Sequence, residues 1–285
     1  MDYIYPDKPF QNRINVLRNN CAVVIGERLH LFQDTVTHEE MSIINPRFKL
    51  CTFDVTNTLL KFQASVGEQY AKIGRMYGVD RDPDQISKSF CHMWKVMNLN
   101  HPNYGKNTGL SSKEWWREIV QRTFCNGSTE ISTHKLDSIS SHLYDMYKSD
   151  VCWKVEPGSE TLLKHLKEKQ IILGVISNFD ERLDCVLKSN GLKPYFDFIL
   201  ASYVVQAAKP SKEIFDHALF QSNCTAAQAL HIGDNVRLDY LAAKKAGWSS
   251  LLFTKTNIND EDLKLVASNE IVHDMEQIEK FILCS

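Results

Sequence analysis

Hydrophobic positions along this chain follow two different periods in separate stretches. Around residues 49–54 they run almost unbroken, Leu50-Cys51-Thr52-Phe53, and the run halts at Asp54 and small polar residues. An apolar, β-favouring run closed this way predicts a buried strand that ends in a turn. After Leu60 the spacing becomes helical, with Val66, Tyr70, Ile73 and Tyr77 on one face and Gly78 ending the run. Pro83 opens a second helix whose face carries Ile86, Phe90, Met93, Trp94 and Met97. A breaker-rich loop at 101–109 follows, then a helix capped by Ser111 or Ser112 and bearing Trp115, Trp116, Ile119, Val120 and Phe124. Leu136, Ile139, Leu143, Met146 and Tyr147 mark a fourth. Residues 64–150 are therefore expected to form a four-helix unit.

From Pro157 the pattern alternates. Helices are expected over 158–169, 180–190, 211–221 and 236–246. Strands are expected over 171–176, 196–201 and 229–234, with Leu251-Leu252-Phe253 and Ile271-Val272 adding further strands before a closing helix. Strands separated by helices of this length predict an α/β fold with a doubly wound, mainly parallel sheet. The expected organisation is a core of 48–63 and 151–285 with the helical unit 64–150 inserted in it. Residues 1–47 lack sustained periodicity, although Cys21 to Ile25 could form a short strand, and are read as a poorly ordered N-terminal appendage.

Composition narrows the partners rather than the fold. A net charge of −2 offers no field for nucleic acid or an anionic membrane, and no apolar run is long enough to span a bilayer. The eight cysteines form no CxxC pair and several sit in apolar segments, which suggests reduced, buried thiols. No basic-then-apolar leader opens the chain, so a cytoplasmic protein is expected, the nucleus or mitochondrion being compatible alternatives. The histidines show no HxxxH or HExxH spacing, which argues against zinc. Gly67, Gly74 and Gly78 lack the context of a dinucleotide loop. The tryptophans at 94, 115 and 116 are expected to pack the helical unit, with one face free to line an entrance.

Open parallel sheets bind ligands beyond the carboxyl ends of their strands. The expected strand ends here present Asp54 with Thr58, Ser177 with Asn178, Lys209 in the loop after its strand, and Asp234. One aspartate at a strand end is more often a turn former. Two carboxylates, a hydroxyl and a lysine meeting at one sheet edge make a site.

The order of these residues resembles the haloacid dehalogenase-like superfamily, whose motifs are DxDxT, a strand-end Ser or Thr, a Lys, and GDxxxxD. Gly233-Asp234-Asn235-Val236-Arg237-Leu238-Asp239 matches the last, and 209–215 resembles the KPxxxIF signature of the subfamily with a helical cap between the first two motifs. Residues 64–150 occupy that cap position, and the resemblance spans about 48–283. It implies a Rossmann-like core and a small phosphorylated substrate held between core and cap. It further implies Asp54 as a nucleophile forming an aspartyl-phosphate, and Mg²⁺ held by Asp54, the Thr56 carbonyl and Asp234. Thr58, Ser177, Asn178 and Lys209 would hold or stabilise the phosphoryl group. Asp239 would either support the metal site or serve the dipole of its helix.

The departure is Thr56. The pattern wants a second Asp there, which protonates the leaving oxygen and then activates water, and losing such a group costs about 10²–10⁴ in rate. Dehalogenases also lack that Asp, but they use no metal and lack an acid corresponding to Asp234. Two expectations result: a Mg²⁺-dependent phosphohydrolase made weak or selective by Thr56, or a non-catalytic protein that binds metal and phosphate or a partner.

Overall fold

The computed structural model describes residues 47–125, 130–255 and 259–283, and the structural statements below concern these residues. The strand β1 (Leu50–Phe53) is buried along its whole length. Leu50 faces one apolar layer, while Cys51 and Phe53 face the other. A strand covered on both faces has no polar side to show, which is why it reads as a continuous apolar run.

After β1 the chain makes a tight turn in which the N–H groups of Thr58, Leu59 and Leu60 all donate to the Val55 carbonyl, with Asn57 at a positive φ of 60°. It then enters β2 (Leu60–Phe62) and the helical unit. That unit comprises α1 (Val66–Met76), α2 (Pro83–Asn100), α3 (Ser112–Cys125) and α4 (Thr133–Met146). Each start has a local cause. Ser65 and Glu68 form a reciprocal capping box, Asp82 caps α2 ahead of Pro83, and of the two candidate serines it is Ser111 that accepts from the Glu114 N–H. Tyr70, Ile73, Ile86, Val120, Phe124, Ile139 and Leu143 pack together in its centre. Gly67 is needed for this packing, because a Cβ there would lie 2.0 Å from the Pro83 carbonyl oxygen.

The chain leaves the helices through β3 (Trp153–Val155), which pairs antiparallel with β2. This two-stranded ribbon was not anticipated. It joins the entering and leaving segments, and its strands are too short to show a period in sequence. The core continues as α5 (Ser159–Glu168), β4 (Ile172–Ser177), α6 (Leu183–Ser189), β5 (Phe198–Ala201), α7 (Ser202–Val205), α8 (Lys212–Ser222) and β6 (Ala229–Gly233). A π-helical turn, Val236–Tyr240, precedes α9 (Leu241–Lys245), followed by β7 (Ser249–Phe253), α10 (Asp260–Leu263), β8 (Ile271–Val272) and α11 (Met275–Leu283).

Six strands form one parallel sheet in the order β5-β4-β1-β6-β7-β8. Residues of α5, α6 and α11 cover one face, and residues of α8 and α9 the other. The expected α/β class with a doubly wound parallel sheet is what forms. Because β4 and β5 lie to one side of β1 and β6 to β8 to the other, the winding reverses next to β1, where a crevice opens at the carboxyl ends.

Several expectations need correction. The helix placed at 180–190 begins only at Leu183, because Asp180 is spent capping the turn before it through the Arg182 N–H. The helix placed at 236–246 opens as the π-helical turn. Cys51 and Cys152 are buried as expected, but Cys91 and Cys185 are exposed. The reading of residues 1–47 lies outside the described residues except at its last position. No helix among the described residues is long and apolar enough to cross a membrane.

Candidate active site

The three neighbouring strands β4, β1 and β6 end side by side, and their ends carry Ser177, Asp54 and Asp234. The Asp54 N–H still donates to the Ile232 carbonyl, so the carboxylate projects from a backbone held by the sheet. Lys209 reaches this edge from the loop before α8. Its ammonium donates to Asp54 Oδ1 at 2.7 Å, to Asp239 Oδ1 at 2.5 Å and to the Ile176 carbonyl at 2.9 Å. All three ammonium protons are thereby used. Lys209 acts on the site through Asp54 and through its charge, with no spare donor for a ligand.

Asn178 fixes that lysine. Its Oδ1 accepts from the Lys209 N–H at 2.7 Å and its Nδ2 donates to the Lys209 carbonyl at 2.8 Å. The side chain expected to contact a ligand is therefore occupied with the lysine backbone. Thr58 is fully buried, and its hydroxyl has no hydrogen-bond partner among the described residues. Ser177 closes β4 and is buried. Thr56, beside Asp54, lines a cavity that opens into the helical unit.

Asp239 is 1% exposed and holds more partners than a helix-dipole role requires. Besides Lys209 it accepts from the Asn235 N–H at 3.0 Å and pairs with His231 Nε2 at 3.1 Å. Gly233 makes this possible, since a Cβ there would lie 2.3 Å from Asp239 Cγ. His231 was missed in the sequence. It lies opposite Thr52 in the β1–β6 register, and its Nδ1 is 2.9 Å from Thr52 Oγ1. Nothing in a lone strand histidine marks it. Only the pairing of two distant strands shows that the Thr52–His231–Asp239 chain props the lysine. Asn57, also missed, donates to Asp234 Oδ2 at 3.2 Å.

Electrostatics set the carboxylates apart. Burial pushes Asp54 up, against the pull of the Lys209 ammonium. Burial also works to raise Asp239, but Lys209 and the His231 contact prevail and hold it below the usual carboxylate range. Burial would lower Lys209, yet Asp239 and Asp54 keep it raised and charged. Burial lowers His231, so its ring stays neutral. Asp234 is raised to about 7, first by burial and then by repulsion from Asp54 and Asp239. One carboxylate oxygen from each of Asp54, Asp234 and Asp239 lies within 4.8 Å of the others.

A family model described as haloacid dehalogenase-like hydrolase matches residues 48–247. The chain belongs to this family. Among curated relatives of the haloacid dehalogenase-like hydrolases, the Rhythmically expressed gene 2 protein of Drosophila melanogaster is 43% identical over 215 residues, covering 72% of this chain and 83% of the relative. Haloacid dehalogenase-like hydrolase domain-containing protein 3 of Mus musculus is 34% identical over 206 residues, covering 72% and 82%. Among solved structures, the protein YfnB of Bacillus subtilis bound to magnesium superposes with a TM-score of 0.62 at 18% identity, over 83% of this chain and 99% of that one. An L-2-haloacid dehalogenase from Xanthobacter autotrophicus gives 0.60 at 16%, over 82% and 98%. At such identities these structures show a shared HAD fold.

Proposed function

We propose that this HAD-like hydrolase is a Mg²⁺-dependent phosphohydrolase that moves the phosphoryl group of a small monoester first to Asp54 and then to water. The observation that carries the reading is an uncompensated carboxylate. Lys209 bridges Asp54 and Asp239, whereas the hydrogen-bond partner of Asp234 among the described residues is the neutral Asn57 amide, and Asp234 is raised to about 7. Three carboxylates against one ammonium fit a hard divalent cation with oxygen ligands. Asp54, Asp234 and the Thr56 carbonyl would hold it, with Asp239 bracing the site from behind. Bound there, Mg²⁺ would neutralise charge on the phosphoryl oxygens.

A carboxylate oxygen of Asp54 attacks phosphorus while the bond from phosphorus to the leaving oxygen breaks. Water then attacks the aspartyl-phosphate at phosphorus, releasing phosphate and regenerating Asp54. Lys209 keeps Asp54 oriented, opposes the upward push of burial on its carboxyl, and offsets charge that develops nearby. The unpartnered Thr58 hydroxyl and Ser177 would meet phosphoryl oxygens. Thr56 can neither protonate the leaving oxygen nor activate water at useful pKa, so a rate about 10²–10⁴ below that of a complete site is expected.

Thr56 also favours a second reading, a non-catalytic protein that binds metal and phosphate or a partner through the same residues. Screening the purified protein for phosphate release from many phosphorylated metabolites, with and without Mg²⁺, separates the two. Metal-dependent turnover of any monoester supports the phosphohydrolase. Mg²⁺ binding without turnover across the panel supports the binding protein.

A further inference from the structure

Phosphoryl transfer at Asp54 concerns only one end of a substrate, and a cavity of about 570 Å³ beside it has no part in that chemistry. It starts at Thr56, Asn178 and Ala208 near the strand ends. Its walls in and around the helical unit include Tyr70, Phe90, Trp94, Trp116, Tyr147 and Trp153. Building on the phosphohydrolase reading, we propose that this cavity receives the leaving group. It selects a phosphate monoester whose alcohol is bulky, uncharged and aromatic.

Charge comes first. The buried cation of the wall, Arg182, is already forked by Asp180 at 2.9 and 2.6 Å and lies over the Tyr144 and Trp116 rings at 4.1 and 5.0 Å. The other cation, Lys95, is exposed. A carboxylate or second phosphate on the leaving group would lose its water here without gaining a free buried cation, and exposed Lys95 stays in solvent, where an ion pair is worth little.

Hydrogen-bonding capacity is spent as well. Ser140 donates to the Leu136 carbonyl, Asn103 and Ser202 bond each other, Tyr104 donates to the Asn178 carbonyl, and Asn178 holds Lys209. A sugar would bury several hydroxyls with few partners. Among the fully buried polar atoms of the wall, the Tyr147 hydroxyl has no partner among the described residues and could bond one polar group on the ring. The wall rings meet one another tilted or edge to face, as Trp94 does with Trp116 at 5.6 Å and Tyr70 with Tyr147 at 6.3 Å. Such rings present faces and edges to a planar guest. The volume suits a ligand of drug-like size, for which pockets run to roughly 300–1,000 Å³.

Phosphonates test the idea without turnover, since their phosphorus–carbon bond is not cleaved and no leaving-group pKa enters. Calorimetric titration of the full-length protein with Mg²⁺ would use inorganic phosphate, methylphosphonate, 2-naphthylmethylphosphonate and 2-carboxyethylphosphonate. We expect the naphthyl compound to bind at least about tenfold tighter than methylphosphonate. The carboxyethyl compound should bind no tighter than methylphosphonate. Trp94→Ala should narrow the naphthyl-to-methyl ratio. Tyr147→Phe, which removes one oxygen and is the second variant if Trp94→Ala does not fold, should lose affinity for a hydroxynaphthyl ligand more than for the naphthyl one. If phosphate binds but the naphthyl group adds nothing, or the carboxyethyl compound is the tightest, the inference is overturned and the phosphohydrolase reading stands. If phosphate itself does not bind with Mg²⁺, both fall.

Discussion

Asp234→Asn should change the stability of this protein in opposite directions with and without Mg²⁺. In the metal-free protein, burial and the neighbouring Asp54 and Asp239 move the Asp234 carboxyl from an ordinary 3.8 to about 7. A carboxyl raised on folding keeps a proton that the unfolded chain has already lost. The penalty for ionising it therefore starts near pH 3.8 and is complete above about 7. At 1.36 kcal/mol per pH unit the penalty reaches about 4 kcal/mol, and partial contact with solvent reduces it to about 2–3 kcal/mol. Asparagine has the same shape without the charge, and Asn57 can still bond it. In EDTA at pH 8 the variant should melt higher than wild type by roughly 5–10 °C. Near pH 4 the two should melt together. Adding Mg²⁺ should raise wild type by mass action, by about 2.7 kcal/mol at a hundred times Kd, while the variant gains little. Circular dichroism melts at pH 4, 6 and 8, in EDTA and in millimolar Mg²⁺, read all of this. A variant that melts below wild type in EDTA at pH 8 would refute the charge argument. A variant that keeps the full Mg²⁺ shift would remove Asp234 from the metal site, and a wild type with no shift would remove the site.

Other consequences can be checked independently. Thr56→Asp should restore a proton donor and raise the rate on an alkyl phosphate by about tenfold to a thousandfold, with a smaller gain on p-nitrophenyl phosphate, whose leaving group scarcely needs protonation; steady-state kinetics on both substrates, after Mg²⁺ binding is verified, decide it. Lys209→Met leaves Asp54 and Asp239 buried without their shared cation and should lower stability by about 3–5 kcal/mol in urea melts. Much of that loss should return in the double variant with Asp239→Asn, because one of the two buried charges is then gone. Gly233→Ala forces a methyl into Asp239, 2.3 Å from its Cγ, and should cut turnover far more than the conservative His231→Gln, which keeps the Asp239 carboxylate in place. Equal effects in the kinetic assay would count against Asp239 as the brace of the site.

Period and punctuation alone determined the element types. A strand buried on both faces must be apolar throughout, and a helix against a core must repeat every three to four positions, so β1, β4, β6 and α1 to α4 were legible. Gly233-Asp234 and Lys209-Pro210 stood out because chemistry at strand ends has few residue types to choose from. What sequence could not carry was pairing. The β2–β3 ribbon rests on contacts between segments about 90 residues apart, in strands of three residues each, too short for a period. His231 reads as an ordinary strand residue until β6 lies beside β1 and sets it against Thr52. The family resemblance puts Asn178 at the phosphate site, and only the folded loop shows that its side-chain amide is bound to the Lys209 backbone. The aromatic cavity is of the same kind. Its rings come from the helices, the ribbon and their connections, and whether a tryptophan fills a core, as Trp115 does, or walls an empty space, as Trp94 and Trp116 do, depends on how those elements close on one another. Local sequence sets which face a side chain takes, because backbone geometry repeats over a few residues. Which face then meets which partner is decided by long-range packing, and the lysine bridge, the uncompensated carboxylate and the cavity all arise at that level.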